Sequence, residues 1–291
     1  MGANSNSHFT RIAELNLAML LISTSGALGR FVNLSPPITI FYRALFAIGI
    51  LYLFCKFRKL SFNIPSNKDR WTIFFGGLFL GGHWVTYFYA LQYSNVAIGM
   101  LSIFTYPVIT AFLEPLLLKT RLQLIHLLLA LLVLVGIYFL VPEFDFSNDY
   151  TKAVAFGVCS ALCYAIRNIL MKKQIAVYNG SVLMWYQILA VGILLTPALF
   201  VFHNEQPEPN EWWAIVLLAL LTTSIGHTLF LMSFRHFSIT TASLISSAQP
   251  VYGIVIGIIF LKEIPSITTV LGGLLILSTV IIESIRSGKK A

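Results

Sequence analysis

Residues Gly76 to Lys119 read GGLFLGGHWVTYFYALQYSNVAIGMLSIFTYPVITAFLEPLLLK. The pattern is two apolar helices joined by a very short link, with His83, Trp84, Tyr87 and Pro107 inside them. A degraded copy lies 143 positions further on. Ala90-Leu91-Gln92-Tyr93 falls on Ser233-Phe234-Arg235-His236, Val96 on Ile239, Pro107 on Pro250, and Leu118-Lys119 on Leu261-Lys262. The same offset puts His227 opposite Trp84 and Phe230 opposite Tyr87. One offset serves both helices of the pair, which marks an internal repeat.

The composition around this stretch fixes the solvent. Of 291 residues, 57% are hydrophobic and 10% charged, and the mean hydropathy is +0.83. A soluble domain carries about 25% charged residues. This chain has too few to cover a water-facing surface, so the sequence is that of an integral membrane protein. Three cysteines, Cys55, Cys159 and Cys163, have no metal-ligand spacing and read as small packing residues. The first apolar run is too long for a signal-peptide core and reads as a retained span.

A spanning helix needs about 20 apolar residues. Ten segments qualify: 12–32, 38–57, 71–91, 96–118, 122–141, 152–173, 181–202, 211–234, 240–261 and 267–286. Lys and Arg in short loops set the orientation. With the N-terminus in the cytoplasm, Arg11, Lys56-Arg58-Lys59, Lys68-Arg70, Lys119-Arg121, Lys172-Lys173, Arg235 and Arg286-Lys289-Lys290 all lie inside, and only Lys152 and Lys262 lie outside. Outer loops carry Glu143, Asp145, Asp149, Glu205, Glu208, Glu211 and Glu263 instead. This bias accounts for the formal charge of +8 without any nucleic acid.

The expected fold is therefore an all-α membrane protein of ten transmembrane helices with both termini cytoplasmic. It divides into two five-helix repeats, 1–145 and 146–291. Five is odd, so the repeats are inverted. Inverted repeats are a hallmark of secondary transporters, whose binding site lies near the midplane between the halves. Two weaker matches support the repeat: Arg30 with Arg167, which also pairs Ser23 with Ser160, and Phe41-Tyr42-Arg43 with Trp185-Tyr186-Gln187.

Three features resemble the EamA family of the drug/metabolite transporter superfamily. They are Arg43 within ITIFYRALFA, the short passage ALQYSNVAIG with its counterpart SFRHFSITTAS, and the run from Pro250 to Glu263 that ends in Leu-Lys-Glu. The first half departs from the pattern, with Lys119-Thr120 at that end and Glu114 inside the helix. The resemblance implies transport of small metabolites, with no ATP-binding part and no cofactor. It identifies a class and not a ligand.

Several residues stand out as site candidates. Pro107 and Pro250 are expected near the centres of helices 4 and 9, as kinks that line the pathway and serve gating. Arg30, Arg43 and Arg167 lie within spans, where a charge needs a cavity or a partner. Arg30 and Arg43 would alternatively snorkel to the outer surface. Ser160, Tyr164 and Arg167 form one polar stripe, and Arg167 reads as a carboxylate anchor or as the ion-pair partner of Glu114. Glu114 reads as that counter-ion, a coupling-proton carrier or a ligand for a cation. His83, Trp84 and Tyr87 share a face of helix 3 and, with His227, Tyr106 and Gln249, would line the central cavity. Histidine changes charge near neutral pH, so proton coupling is one reading. Arg235 and His236 read as headgroup contacts or as a gate.

The functional expectation is a secondary transporter, and by family tendency an exporter, of small organic metabolites such as amino acids or aromatic carboxylates. The alternative substrate is a cationic metabolite held in an aromatic cage of Trp84, Tyr87 and Tyr106 with Glu114. An intramembrane enzyme is disfavoured, because HExxH, GxSxG and paired acids at helical spacing are all missing. A lipid scramblase is the remaining class. No catalytic residue, metal site or cofactor is expected. The short loops point to the bacterial inner (plasma) membrane, with a small-molecule substrate and the bilayer as partners, and a monomer or a homodimer as the assembly.

Overall fold

The computed structural model describes residues 2–118, 124–140, 145, 147–237, 242, 246 and 248–288. Lys119, Thr120, Arg121, Glu143, Ile239, Lys289 and Lys290 lie outside the described residues. Helices named here are α1 (Gly2–Phe31), α2 (Pro36–Phe57), α3 (Asn67–Tyr93), α4a (Val96–Ile103), α4b (Tyr106–Leu118), α5 (Leu124–Leu140) and α6 (Asp149–Val177) in the first part of the chain. They continue with α7 (Gly180–Leu195, then a turn at Ala198–Val201), α8 (Trp212–Ser233), α9 (Ala248–Leu261) and α10 (Ile267–Gly288). Six of the described helices are long and apolar enough to cross a bilayer.

Local chemistry explains where they start and break. The side chains of Ser66, Asn95, Asn148 and Asn179 accept from N–H groups of the first turns of α3, α4a, α6 and α7, satisfying donors that a helix start leaves over. Pro36 and Pro37 open α2, where no N–H is needed. The expected kink in helix 4 is a full break. α4a stops at Ile103, Phe104 and Thr105 form a turn, and Pro107 sits in the first turn of α4b. Pro250, its repeat counterpart, lies in α9, with helical Ala242 and Ser246 described upstream of it. The Pro107 ring thus occupies a place that spares it an interior clash.

One irregularity carries no sequence signature of the usual kind. Leu218 to His227 winds as a π-helix in the middle of α8. Thr223 and Ser224 donate to carbonyls five residues back, Leu218 and Ala219. Such hydroxyl back-bonding bends helices, and π-turns concentrate at functional sites.

The packing has two-fold character. α1 packs on α8 and α9, and α6 packs on α3 and α4. α2 packs on α8, and α7 packs on α3. Exchanging each helix with the one five later turns the first member of each pair into the second. The remaining large contacts, α2 with α7, α4 with α9 and α5 with α10, map onto themselves. The loops obey the same exchange. At the inner surface Asp69 accepts from Gln174 (3.1 Å) and Tyr178 (2.8 Å), and Arg235 donates to the carbonyls of Ile175 and Tyr178. At the outer surface Glu211 and Glu205 accept from the N–H groups of Asn33 and Ser35, and Gln92 donates to the Leu34 carbonyl. Gln92 and Arg235 are repeat-related, so Arg235 holds the loop before α7 as Gln92 holds the loop before α2.

Where α5 meets α10, a Cβ on Gly272 would stand 2.6 Å from the Gly136 carbonyl oxygen, and one on Gly136 would stand 3.0 Å from the Gly272 carbonyl oxygen. Small residues permit such close backbones in a membrane, where packing rather than hydrophobicity holds helices together. Gly272→Leu should therefore destabilise the protein by the roughly 1–3 kcal/mol typical of overpacking, read as a lower melting temperature in detergent. Gly49→Leu, with nothing within 4 Å of its Cβ, should leave it unchanged.

Candidate functional site

The two-fold arrangement has a consequence at the centre. Trp84 and His227 are repeat-related, and the Trp84 indole donates to Nε2 of His227 at 3.2 Å. A residue touches its own counterpart only on the symmetry axis. Around this pair α1, α2, α3, α4, α6, α8 and α9 enclose a cavity. Eight of the sequence candidates line it: Arg43, His83, Trp84, Tyr87, Tyr106, Tyr164, His227 and Gln249. It is completed by Ile22, Ser25, Ile103 and Phe104. The last four carried no sequence signal, being ordinary small or apolar residues of a span. Phe104 reaches the cavity because helix 4 breaks beside it.

The free space is about 20 Å³, roughly one water centre. In this conformation the cavity has no room for a metabolite.

The polar groups of the cavity are held in definite ways. His83 Nδ1 lies 2.7 Å from the Ser160 hydroxyl, which itself donates to the His83 carbonyl. Its ring stacks on Tyr164 at 4.4 Å, and Tyr164 stacks in turn on Phe230. The Tyr106 hydroxyl lies 2.9 Å from that of Ser246. An indole N–H is a donor only, so Nε2 of His227 must accept, and neutral His227 carries its proton on Nδ1. That Nδ1 is buried and has no partner among the described residues.

The three intramembrane arginines differ. Arg43 is 1% exposed, so it does not snorkel. Its Nε donates to the Thr223 hydroxyl at 2.6 Å, and its guanidinium lies 4.1 Å from the centre of the Trp84 ring. Its Nη2 has no partner among the described residues. Arg167 is fully buried but has a partner for each nitrogen: Gln187 Oε1 (2.8 Å), Asn168 Oδ1 (3.0 Å) and Met184 Sδ (3.7 Å). It is not among the cavity-lining residues. The ion pair expected between Arg167 and Glu114 is not formed, because Glu114 pairs with Lys172 at 2.7 Å. Lys172 reaches it from the water-facing end of α6, where a long amine adapts more easily than a buried guanidinium held on three sides. Arg30 does pair, with Glu263 at 3.1 Å, and also donates to the Leu91 carbonyl.

The two ion pairs sit at opposite faces. Arg30–Glu263 joins α1 to α9 at the outer end, where Glu263 also accepts from the Val96 N–H. Lys172–Glu114 joins α6 to α4b at the inner end. The exchange that relates the halves relates these two helix pairs.

Comparison with known proteins agrees with this architecture. The family model described as "EamA-like transporter family" matches twice, over residues 15–141 and 151–285. A pseudopaline exporter of Pseudomonas aeruginosa is 24% identical over 267 residues, covering 89% of this chain and 90% of that protein. A threonine/homoserine exporter of Salmonella typhimurium is 26% identical over 261 residues, covering 87% and 83%. A solved crystal structure superposes with a TM-score of 0.71 at 19% identity, covering 96% of this chain and 98% of that one. With its helices paired half against half and its sequence matched once in each half, this multi-pass membrane protein belongs to the EamA-like transporter family.

Proposed function

We propose that the protein exports small carboxylate-bearing metabolites, amino acids or aromatic carboxylates, by alternating access at the axial cavity. The observation that carries the reading is Arg43. A buried guanidinium with no acid beside it among the described residues, and with one nitrogen unpartnered among them, is a costly arrangement unless a ligand supplies the anion. No carboxylate is among the residues lining the cavity. The Nδ1–H of His227 offers a second donor in the same space. Arg43, rather than Arg167, is thus the better anchor. His83, Tyr87, Tyr106, Tyr164 and Gln249 supply the walls for the rest of the substrate. Export is favoured by the relatives named as exporters.

The cationic-cage alternative fares worse. The Trp84 face that a cation would use is already covered by Arg43, and Glu114 is engaged with Lys172 away from the cavity.

Gating fits the paired latches. Each ion pair is partly exposed, with side-chain exposures of 32% and 20% for Arg30 and Glu263, and of 45% and 29% for Lys172 and Glu114. Such pairs are worth about 0–1 kcal/mol, weak enough to open reversibly during turnover. Opening one latch while the other stays shut would expose the cavity to one side. Pro107, at the break in helix 4, and its repeat counterpart Pro250, next to the cavity-lining Gln249, are the proposed hinge points.

Two measurements test this. In proteoliposomes phenylpropionate and phenylalanine should enter saturably while phenethylamine, with the same ring and only a positive charge, should not. Arg43→Gln, checked for a normal melting temperature, should reduce carboxylate uptake about tenfold or more, the loss expected for a charge-assisted hydrogen bond. Saturable uptake of the amine alone would contradict the proposal. The latches can be read with Ser25→Cys in a variant lacking the native cysteines. Glu263→Gln should raise its labelling by an impermeant maleimide added outside, and Glu114→Gln should raise labelling from inside. Changes on the same side for both would reject the gate assignment.

A further inference from the structure

A second space lies away from the axis. A groove of about 550 Å³ runs between the inner halves of α2, α7 and α8 and opens toward the bilayer. Phe54 and Ile225, both exposed, stand at its lips, and Ile50, Leu51, Leu220 and Leu229 form its apolar bed. Hydrocarbon fills such a groove in a membrane. Three polar features specify more than hydrocarbon.

Arg58 stands exposed at the inner mouth, and none of the described residues pairs with its guanidinium. Lys56 and Lys59 flank it on the same face of the membrane. Across the mouth is the start of α7, where Asn179 and Ser181 line the groove. A helix N-terminus carries partial positive charge and free N–H groups. Thr228, 5% exposed, also lines the groove, and its hydroxyl has no partner among the described residues. Thr228 lies one turn along α8 from Met232, the residue that packs against Gly180 at the start of α7. That turn is about 6 Å of helix, and it places the hydroxyl deeper in the membrane than the mouth.

Anion-binding groups at the surface, an orphan donor one turn below and an apolar channel beyond match one ligand chemistry. We propose that this groove binds one anionic phospholipid of the inner leaflet. The phosphate sits between Arg58 and the start of α7, an ester carbonyl accepts from Thr228, and an acyl chain lies along α2 and α8. Basic pockets between helices on the cytoplasmic side hold anionic headgroups in this way.

The site has a direct route to the cavity. The acyl chain would pack on Leu220, Ser224 and Ile225, which belong to the π-helical segment of α8. The same segment presents Thr223 to Arg43 and His227 to Trp84. One face of the irregular turn is thus shared with lipid and the other with substrate.

The test is lipid retention by the full-length protein in native mass spectrometry, with no substrate present, so its outcome is independent of any flux measurement. Dioleoyl phosphatidylglycerol should be retained about fivefold more tightly than dioleoyl phosphatidylcholine, the gain expected for one basic residue at a headgroup. Arg58→Ala, at an exposed position, should bring the two lipids to parity. Ile225→Trp, which fills the channel from the membrane side, should retain neither lipid at this site while keeping the parent melting temperature. Equal retention of the two lipids by the parent protein would overturn the proposal. So would a preference that survives Arg58→Ala, or phosphatidylglycerol retained by folded Ile225→Trp.

Discussion

The hydrogen bond from Trp84 to His227 is the contact on which the rest of the structure turns. It joins positions one repeat apart, and it does so at the centre of the helix bundle. Two halves with an odd number of spans must be inverted in a membrane, and an inverted pair must meet on an axis in the membrane plane. The indole and the imidazole stand on that axis. Their bond sets the tautomer of His227, gives Arg43 a ring to lie on, and fixes where the two halves share a cavity.

Charge does the rest. The described acids are drawn to the two faces. There they cap loops, as Asp69, Glu205 and Glu211 do, or close ion pairs, as Glu114 and Glu263 do. The interior keeps two guanidiniums. One is held by three neutral partners. The other is left, among the described residues, with an unpartnered nitrogen beside the axis. An interior built this way has positive potential with low-dielectric walls, and a carboxylate is the species it would favour. The aromatic rings around it shape the pocket without competing for the anion.

Much of this was legible in the chain. Ten spans follow from hydropathy, the orientation from Lys and Arg, and the repeat from one offset of 143. The cavity residues on α3, α6 and α8 were readable because polar or amphipathic side chains in a span need a reason to be there. Three things were not readable. The choice between Arg43 and Arg167 depends on which has neighbours, and Gln187 belongs to another helix 20 residues away. The partner of Glu114 depends on lateral reach at the end of α6. The π-helical segment depends on Thr223 and Ser224 finding carbonyls five residues back, a choice that composition does not encode.

A structure of the protein with a transported carboxylate bound would test the central claim most directly. The account predicts a carboxylate oxygen about 3 Å from Nη2 of Arg43, with the second oxygen or an adjacent polar group facing Nδ1 of His227, and Arg167 still held by Gln187 and Asn168. A carboxylate bound at Arg167 with Arg43 covered by protein, or one bound off the axis, would contradict it.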